Sequence, residues 1–217
     1  MLLSCFLGAM TSVRTTEGLA METLPQKLSS MLTPAGRQRE SLKAELLKLV
    51  ETSSPPGNFA GAFDRKEDGT RFREIFLEEL PALNPTPNPA RSPLFSGEWE
   101  CLWTSEKELN FLAGAGLFGD DWKRTYQVID VPQGRLNNYI LFDNDGDLTV
   151  GSIIEPDPNE GSKFNIQFDE ASLSWKGLVK LNIPPVGSGW GELLYLDQDL
   201  RLQRDIRGDL LLGQRVR

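Results

Sequence analysis

The sequence predicts a mainly β protein, an antiparallel β-barrel of eight or nine strands preceded by two α-helices. Three observations support this prediction. Apolar residues recur at helical spacing up to residue 80, apolar and polar residues alternate after residue 96, and turn motifs such as Asn144-Asp145-Gly146 separate the alternating runs. A sheet with one apolar face must close or stack, and closure into a barrel removes its exposed edges.

Two amphipathic segments precede the sheet. The pair Thr33-Pro34 favours a helix start, and the apolar residues that follow predict a helix over residues 34–51. A second apolar stripe predicts a helix over residues 66–80, ended by Pro81. We expect both helices to pack on the body of the protein or to plug one end of it. The two stripes are Leu42, Leu46, Leu49 and Val50, then Phe72, Ile75, Phe76 and Leu80.

A proline-rich connector, residues 83–89, leads into a predicted barrel over residues 96–217. A barrel of about eight strands encloses packed side chains or one small ligand. The runs with strand character are residues 99–104, 124–131, 136–142, 148–154, 163–168, 173–181, 190–196, 200–203 and 210–216.

Composition limits the possible functions. The chain has 217 residues and a formal net charge of -8, which disfavours binding to nucleic acid. It contains no histidine, so Ser-His-Asp, Cys-His and histidine-based metal sites are excluded. We expect residues 1–32 to be a disordered leader or a targeting remnant and residues 33–217 to form one domain. Cys101 alternates with Trp99 and Trp103 and is interpreted as a small buried residue.

One glycine-rich segment, residues 114–119, matches the dinucleotide fingerprint letter for letter. That loop works only before a helix, and a β-patterned segment follows here. We therefore predict an apolar loop at the barrel mouth that acts as a lid or dips into a membrane. Its apolar residues are Phe111, Leu112, Leu117 and Phe118.

Two acidic clusters suggest other chemistry. Residues 143–147 resemble the start of a calcium loop, but Ile154 stands where a bidentate glutamate is required, so a hairpin turn is the preferred interpretation. Asp197 and Asp199 are spaced to share one side of a strand, and we interpret them as residues flanking a turn. We predict neither a metal site nor a cofactor.

Three passages resemble the plastid-lipid-associated (fibrillin) family. They are the connector at residues 83–89, Ser96 to Ser105 with its Gly97-Glu98-Trp99 triplet, and Tyr195 to Arg201. The resemblance implies a lipocalin-like barrel whose first-strand Trp99 stacks on an arginine of the last strands, chosen here as Arg201 from Arg201, Arg204 and Arg207.

The resemblance also implies a function. Family members are plastid proteins that associate peripherally with thylakoids or lipid globules and bind prenyl lipids, quinones or carotenoids without catalysis. Residues 204–209 resemble a branch linked to plastoquinone synthesis through contact with a prenyl diphosphate synthase, so an interaction module that binds such an enzyme is the alternative. A lipid-modifying enzyme that uses Glu192, Tyr195 or Asp197 is a second alternative.

Aromatic residues of the predicted strands are candidates to line a lipophilic pocket, although small barrels also fill their own cores with such residues. The candidate ligand-binding residues are Trp99, Trp103, Tyr126, Phe142, Phe164, Phe168, Trp175, Tyr195 and Arg201.

Overall fold

The computed structural model describes residues 33–53, 63–107, 122–143, 145–175, 179–184 and 187–217. Helix α1 runs from Pro34 to Glu51, the predicted range, and the Thr33 hydroxyl oxygen accepts a 3.0 Å hydrogen bond from the Gly36 amide. This contact satisfies one of the amide groups that a helix start leaves without an intrahelical acceptor. The predicted leader, residues 1–32, lies outside the described residues.

Helix α2 begins as an α-helix over Lys66–Glu74, continues as a π-helix over Ile75–Glu79 and ends as an α-helix over Leu80–Ala82. The prediction that the helix ends before Pro81 is therefore wrong by one half-turn. Proline has no amide hydrogen and crowds the preceding turn of a regular α-helix. The wider π turn lies directly before Pro81, in the position where such a bulge accommodates the ring.

The connector, residues 83–89, leads into two short 3-10 turns, Pro89–Arg91 and Pro93–Phe95. It is held against the end of one barrel strand by side chains. The Thr86 hydroxyl donates to the Leu196 carbonyl at 2.5 Å, and the Leu196 amide donates to Asn84 Oδ1 at 3.2 Å. The connector therefore closes one end of the barrel, hereafter the floor.

The sheet contains nine antiparallel strands in the order β4-β3-β2-β1-β9-β8-β7-β5-β6, and β4 also pairs with β5. This last pairing closes an eight-stranded barrel. Among the described residues, β6 is an extra strand that pairs with the upper part of β5. The strands are β1 Gly97–Thr104, β2 Trp122–Asp130, β3 Arg135–Phe142, β4 Asp147–Pro156, β5 Lys163–Trp175, β6 Val179–Ile183, β7 Ser188–Leu196, β8 Leu200–Asp205 and β9 Leu210–Arg215.

Strand β5 differs from the prediction, which placed a break between residues 168 and 173. The strand is continuous because Asp169 and Glu170 form a β-bulge rather than a turn, with a register shift opposite Gly151. Both carboxylates bind Arg135 on β3, with Glu170 at 3.0 Å. The predicted strand over residues 173–181 is correspondingly divided between β5 and β6.

Two apolar clusters organise the core. The first lies between the helices and the outer face of β1 and β7–β9, so the helices pack on the wall of the barrel and do not plug it. The second lies inside the barrel at the floor and includes Phe95, Trp99, Ile154, Phe164 and Leu196. Burial of both clusters fixes the orientation of each strand, because side chains alternate between the two faces.

Candidate functional site: the barrel interior

Strand pairing identifies the side chains that face the interior, because residues directly opposite each other lie on the same face of a sheet. On β3, Leu136 belongs to the floor cluster and faces inward, and every second residue after it faces inward as well. Across the sheet they form three rows from floor to mouth. The rows are Leu136, Ser152 and Phe168; Asn138, Val150 and Ala171; and Ile140, Leu148 and Leu173.

Two arginines flank the indole of Trp99 at the floor. The guanidinium carbon of Arg201 lies 5.4 Å from the ring centroid and that of Arg215 lies 4.2 Å from it. The Trp99 Nε1 group donates to the Phe95 carbonyl at 3.0 Å, and the Phe95 ring packs 4.9 Å from that of Phe164. The stacking predicted for Arg201 is present, but Arg215 is the closer cation.

Arg215 also joins the floor to the segment between the connector and β1. Its Nη1 donates to the Ser96 carbonyl and its Nε donates to the Gln198 carbonyl, both at 2.9 Å, while Nη2 donates to the Leu94 carbonyl. Cation–π contacts of this kind contribute roughly 0.5 to 2 kcal/mol. The floor is thus sealed by aromatic rings, two cations and backbone carbonyls.

Above the floor, five inward polar residues form what we term the polar layer: Gln127, Asn138, Ser152, Arg201 and Gln203. Arg201 Nη2 donates to Gln127 Oε1, and Gln127 Nε2 donates to Asn138 Oδ1 at 2.6 Å. Gly213 leaves room for this arrangement, since a Cβ there would lie 3.2 Å from Arg201 Nε. The polar layer therefore spans the interior from β8 to β3.

Several polar atoms of this layer have no hydrogen-bond partner among the described residues. They are Nε and Nη1 of Arg201, Oγ of Ser152 and Oε1 of Gln203. Arg201 and Ser152 are both fully buried. Native proteins pair the large majority of buried polar atoms, and a water molecule or a ligand would supply partners for these four atoms.

Burial lowers the pKa of Arg201 to about 9, and the charge of Arg215 acts in the same direction. The guanidinium is still protonated at neutral pH. The interior thus carries positive charge next to unused hydrogen-bond donors. Burial also raises the pKa of the half-buried Cys101 thiol to about 12, so this residue is a neutral thiol at physiological pH.

Above the polar layer, the inward residues of β3, β4 and β5 are apolar, and we term this side the upper interior: Ile140, Phe142, Leu148, Val150, Ala171 and Leu173. Ile140 and Phe142 are buried, whereas the other four are only half-buried. Leu181 of β6 pairs with Leu173 and is 53% exposed. Apolar side chains here retain accessible surface, whereas those at the floor are almost fully buried.

The predicted ligand-binding residues divide into two groups. Trp99, Phe142, Phe164, Phe168 and Arg201 face the interior. Trp103 and Tyr195 instead lie on the outer wall beneath the helices, where the Trp103 ring is 4.4 Å from that of Phe72. They follow β-bulges at Cys101/Trp103 and Leu193/Tyr195, which reverse the face of the next side chain.

The remaining predicted residues lie elsewhere. Tyr126 is on the outer face, where its ring stacks 4.8 Å from that of Tyr139 and lies beneath the Arg124 guanidinium. The side chain of Trp175 is outside the described residues. So is the predicted lid or membrane loop, with Phe111, Leu112, Leu117 and Phe118.

Asp197 and Asp199 have structural contacts. Asp197 Oδ1 accepts from the Asp199 and Leu200 amides at 2.7 and 2.8 Å, and Asp197 Oδ2 accepts from Lys43 Nζ at 2.7 Å and the Tyr195 hydroxyl at 2.5 Å. Burial opposes ionisation of Asp197, but Lys43 and these donors outweigh it and lower the pKa. Burial and the Asp197 charge raise the pKa of Tyr195. Glu192, the third proposed enzymatic group, pairs with Arg204 at 2.6 Å.

Within the described part of the chain, no three acidic or cysteine side chains are placed to hold a metal ion. No described helix is long and apolar enough to cross a bilayer. Asp145 adopts a positive φ of 58° in the turn between β3 and β4, the geometry of a hairpin turn.

The family model for PAP/fibrillin proteins matches residues 41–212, which include α2, the connector and nearly the whole barrel. The chain belongs to the PAP/fibrillin family. This fibrillin is also 43% identical over 122 residues to "Probable plastid-lipid-associated protein 11, chloroplastic" of Arabidopsis thaliana. That match covers 56% of the chain and 56% of the relative, so the chain spans about half the length of the curated relative.

No solved structure matches this fibrillin significantly. The closed eight-stranded antiparallel barrel is therefore described from its own strand pairing, and the lipocalin-like comparison stays a prediction.

Proposed function

We propose that this fibrillin binds one lipophilic molecule, such as a prenyl lipid, quinone or carotenoid, inside its barrel and carries or sequesters it in plastids. Family membership supports association with plastid lipids, and the relative with 43% identity is named as a chloroplast protein. The proposal includes no bond chemistry. The chain has no histidine, and Glu192, Tyr195 and Asp197 are engaged in ion pairs and hydrogen bonds that hold the fold together.

The observation that carries the proposal is the contrast between the two halves of the barrel. The floor is filled by Phe95, Trp99 and Phe164, each with no exposed surface. The upper interior is apolar, yet Leu148, Val150 and Leu173 are only half-buried. Burial of apolar surface contributes roughly 25 cal/mol per Å², so an apolar ligand that covers these side chains gains affinity from them.

The test is a titration of the purified protein with plastoquinone or β-carotene, followed by tryptophan fluorescence. Saturable quenching is expected. The variant Leu148→Gln should weaken binding because Leu148 faces the interior, and Ile153→Gln should not, because Ile153 lies five residues along β4 on the outer face and is 42% exposed. Absence of saturable quenching by both ligands contradicts binding of a neutral quinone or carotene.

Peripheral association with thylakoids or lipid globules is part of the same proposal and depends on the apolar loop. Replacement of Phe111 and Phe118 with aspartate should abolish flotation with liposomes of thylakoid lipid composition. Unchanged flotation of the double variant excludes this loop as the membrane contact.

The alternative function, binding to a prenyl diphosphate synthase, requires a partner surface outside the barrel. The exposed face of the helices supports it only in part: Leu77, which is 36% exposed, lies among charged residues such as Arg73 and Glu78. If the synthase co-purifies with the wild-type protein but not with Leu77→Asp, this function is favoured over transport of a lipophilic molecule.

A further inference from the structure

We infer that the ligand of the barrel carries a carboxylate, which binds the Arg201 guanidinium in the polar layer. This inference rests on the proposed function, binding of a lipophilic molecule inside the barrel, and narrows the ligand to an acidic lipid with a long hydrocarbon chain in place of a neutral quinone or carotene. It begins from the state of Arg201, which is fully buried and retains Nε and Nη1 donors without a partner among the described residues.

The first step concerns charge. Among the described residues, no carboxylate forms an ion pair with Arg201; its one hydrogen-bond acceptor is the neutral amide of Gln127. The nearest cation, Arg215, shares the Trp99 ring with it and adds positive charge. Burial of an uncompensated charge costs more free energy than the cation–π contacts with Phe95 and Trp99 return. An anion in the interior would therefore bind favourably.

The second step concerns the size of the head group. The free donors are few: two nitrogen atoms of Arg201 and the Ser152 hydroxyl, which is also fully buried and unpartnered. If the Gln203 amide is turned by 180°, its Nε2 group takes the position of Oε1 and adds another donor. A carboxylate, with one charge and two acceptor atoms, matches this set, whereas a phosphate calls for more cationic groups.

The third step concerns the hydrocarbon chain. The polar layer lies between the closed floor and the upper interior. A head group bound at Arg201 would direct its chain past Val150 and Leu148 toward Leu173, all apolar and half-buried. The interior thus has a closed floor, a cationic polar layer above it and an apolar upper interior. This order fits an amphiphile whose acid end lies innermost.

The test compares cis-parinaric acid with its methyl ester on wild-type protein, because the ester keeps the chain and removes the charge. We expect the acid to bind at least tenfold more tightly, with both probes displaced by oleate. Equal affinity of acid and ester overturns the inference and leaves the proposed function standing. Failure of both probes to bind also overturns the inference, and if plastoquinone and β-carotene then fail to quench tryptophan fluorescence, the proposed function fails as well.

Arg201→Met should remove the preference for the acid while ester binding persists. Arg204→Met is the matched control, since Arg204 pairs with Glu192 on the outer face of the same strand and should leave both affinities unchanged. If Arg201→Met does not fold, Ser152→Ala provides the second variant, with a several-fold loss of acid affinity expected and no change for the ester. If Arg201→Met folds, an unchanged ratio of acid affinity to ester affinity contradicts the inference. If it does not fold, the same result for Ser152→Ala contradicts it.

Discussion

The ammonium group of Lys43 on α1 lies 2.7 Å from a carboxylate oxygen of Asp197 at the end of β7. Both side chains are largely buried, and Glu40 and Asp199 complete the cluster at 3.1 and 3.4 Å from the same nitrogen. Asp197 also accepts from the Tyr195 hydroxyl and from two amides of the β7–β8 turn. One carboxylate thus connects the first helix, the outer wall and the turn.

Replacement of Lys43 by methionine should destabilise the protein by about 3 to 5 kcal/mol, because it leaves the buried Asp197 carboxylate without its cation. Urea denaturation followed by circular dichroism measures the loss. Lys48→Met, on the exposed side of the same helix, is the control and should change stability by less than about 0.5 kcal/mol. Equal stability of the two variants would show that the ion pair contributes nothing to docking of α1.

The same cluster predicts a pH dependence. Burial opposes ionisation of Asp197, but Lys43 and hydrogen bonds outweigh it and lower the pKa from its ordinary value of 3.8. The stabilisation is therefore complete above that value and is lost as pH falls through the lowered pKa. Burial opposes the charge of Lys43, but Asp197 and Glu40 outweigh burial and raise the pKa of Lys43 above 10.5. The contribution of Lys43 to stability is therefore lost only as pH rises beyond that point. Urea midpoints measured from pH 6 to pH 2 should fall more steeply for wild type than for Asp197→Asn; parallel curves contradict this.

Gly97→Ala should cost more stability than Gly208→Ala. Both glycines have positive φ, 135° and 83°, so both variants carry backbone strain of roughly 1 to 2 kcal/mol. A Cβ at residue 97 would also lie 2.2 Å from Arg215 Nη1 and displace the guanidinium from the floor, whereas residue 208 has open space. Thermal denaturation of the two variants measures the difference, and equal losses would show that the Arg215 contact is dispensable.

Tryptophan variants separate the interior from the outer wall. Trp103→Phe should leave ligand-induced quenching intact, since Trp103 packs on Phe72 outside the barrel. Trp99→Phe should reduce the quenching amplitude, because Trp99 is the floor residue beneath Arg201. Fluorescence titration of both variants, after circular dichroism has confirmed folding, provides the measurement. Loss of quenching in Trp103→Phe alone would place the ligand under the helices.

Much of the fold could be predicted from the spacing of apolar residues and from the residues that begin helices and form turns. Alternation identified a closed antiparallel barrel, and a hydroxyl before Pro34 identified the start of α1. Bulges limited the prediction of the site. Trp103 and Tyr195 each follow an extra residue in the strand, and an extra residue reverses which face the next side chain occupies.

Strict alternation contains no mark of a bulge, so these two residues were assigned to the interior. Asp169 and Glu170 were taken for a turn for the same reason. The sequence did contain a signal for Arg215 that the prediction missed. Counting by twos from Leu211 through Gly213 places Arg215 on the inner face of β9, next to Trp99. The resemblance to other arginine-closed barrels had directed attention to Arg201, Arg204 and Arg207 only.

The hydrogen bonds that close the floor bear on how the proposed ligand would reach the interior. Asn84 and Thr86 bind both backbone polar groups of Leu196, and Arg215 holds the carbonyls of Leu94 and Ser96. A molecule leaving past Trp99 would have to break all of these bonds at once. A molecule carried as proposed would therefore enter and leave at the opposite end of the barrel, where β1 and β3 end at Thr104 and Phe142.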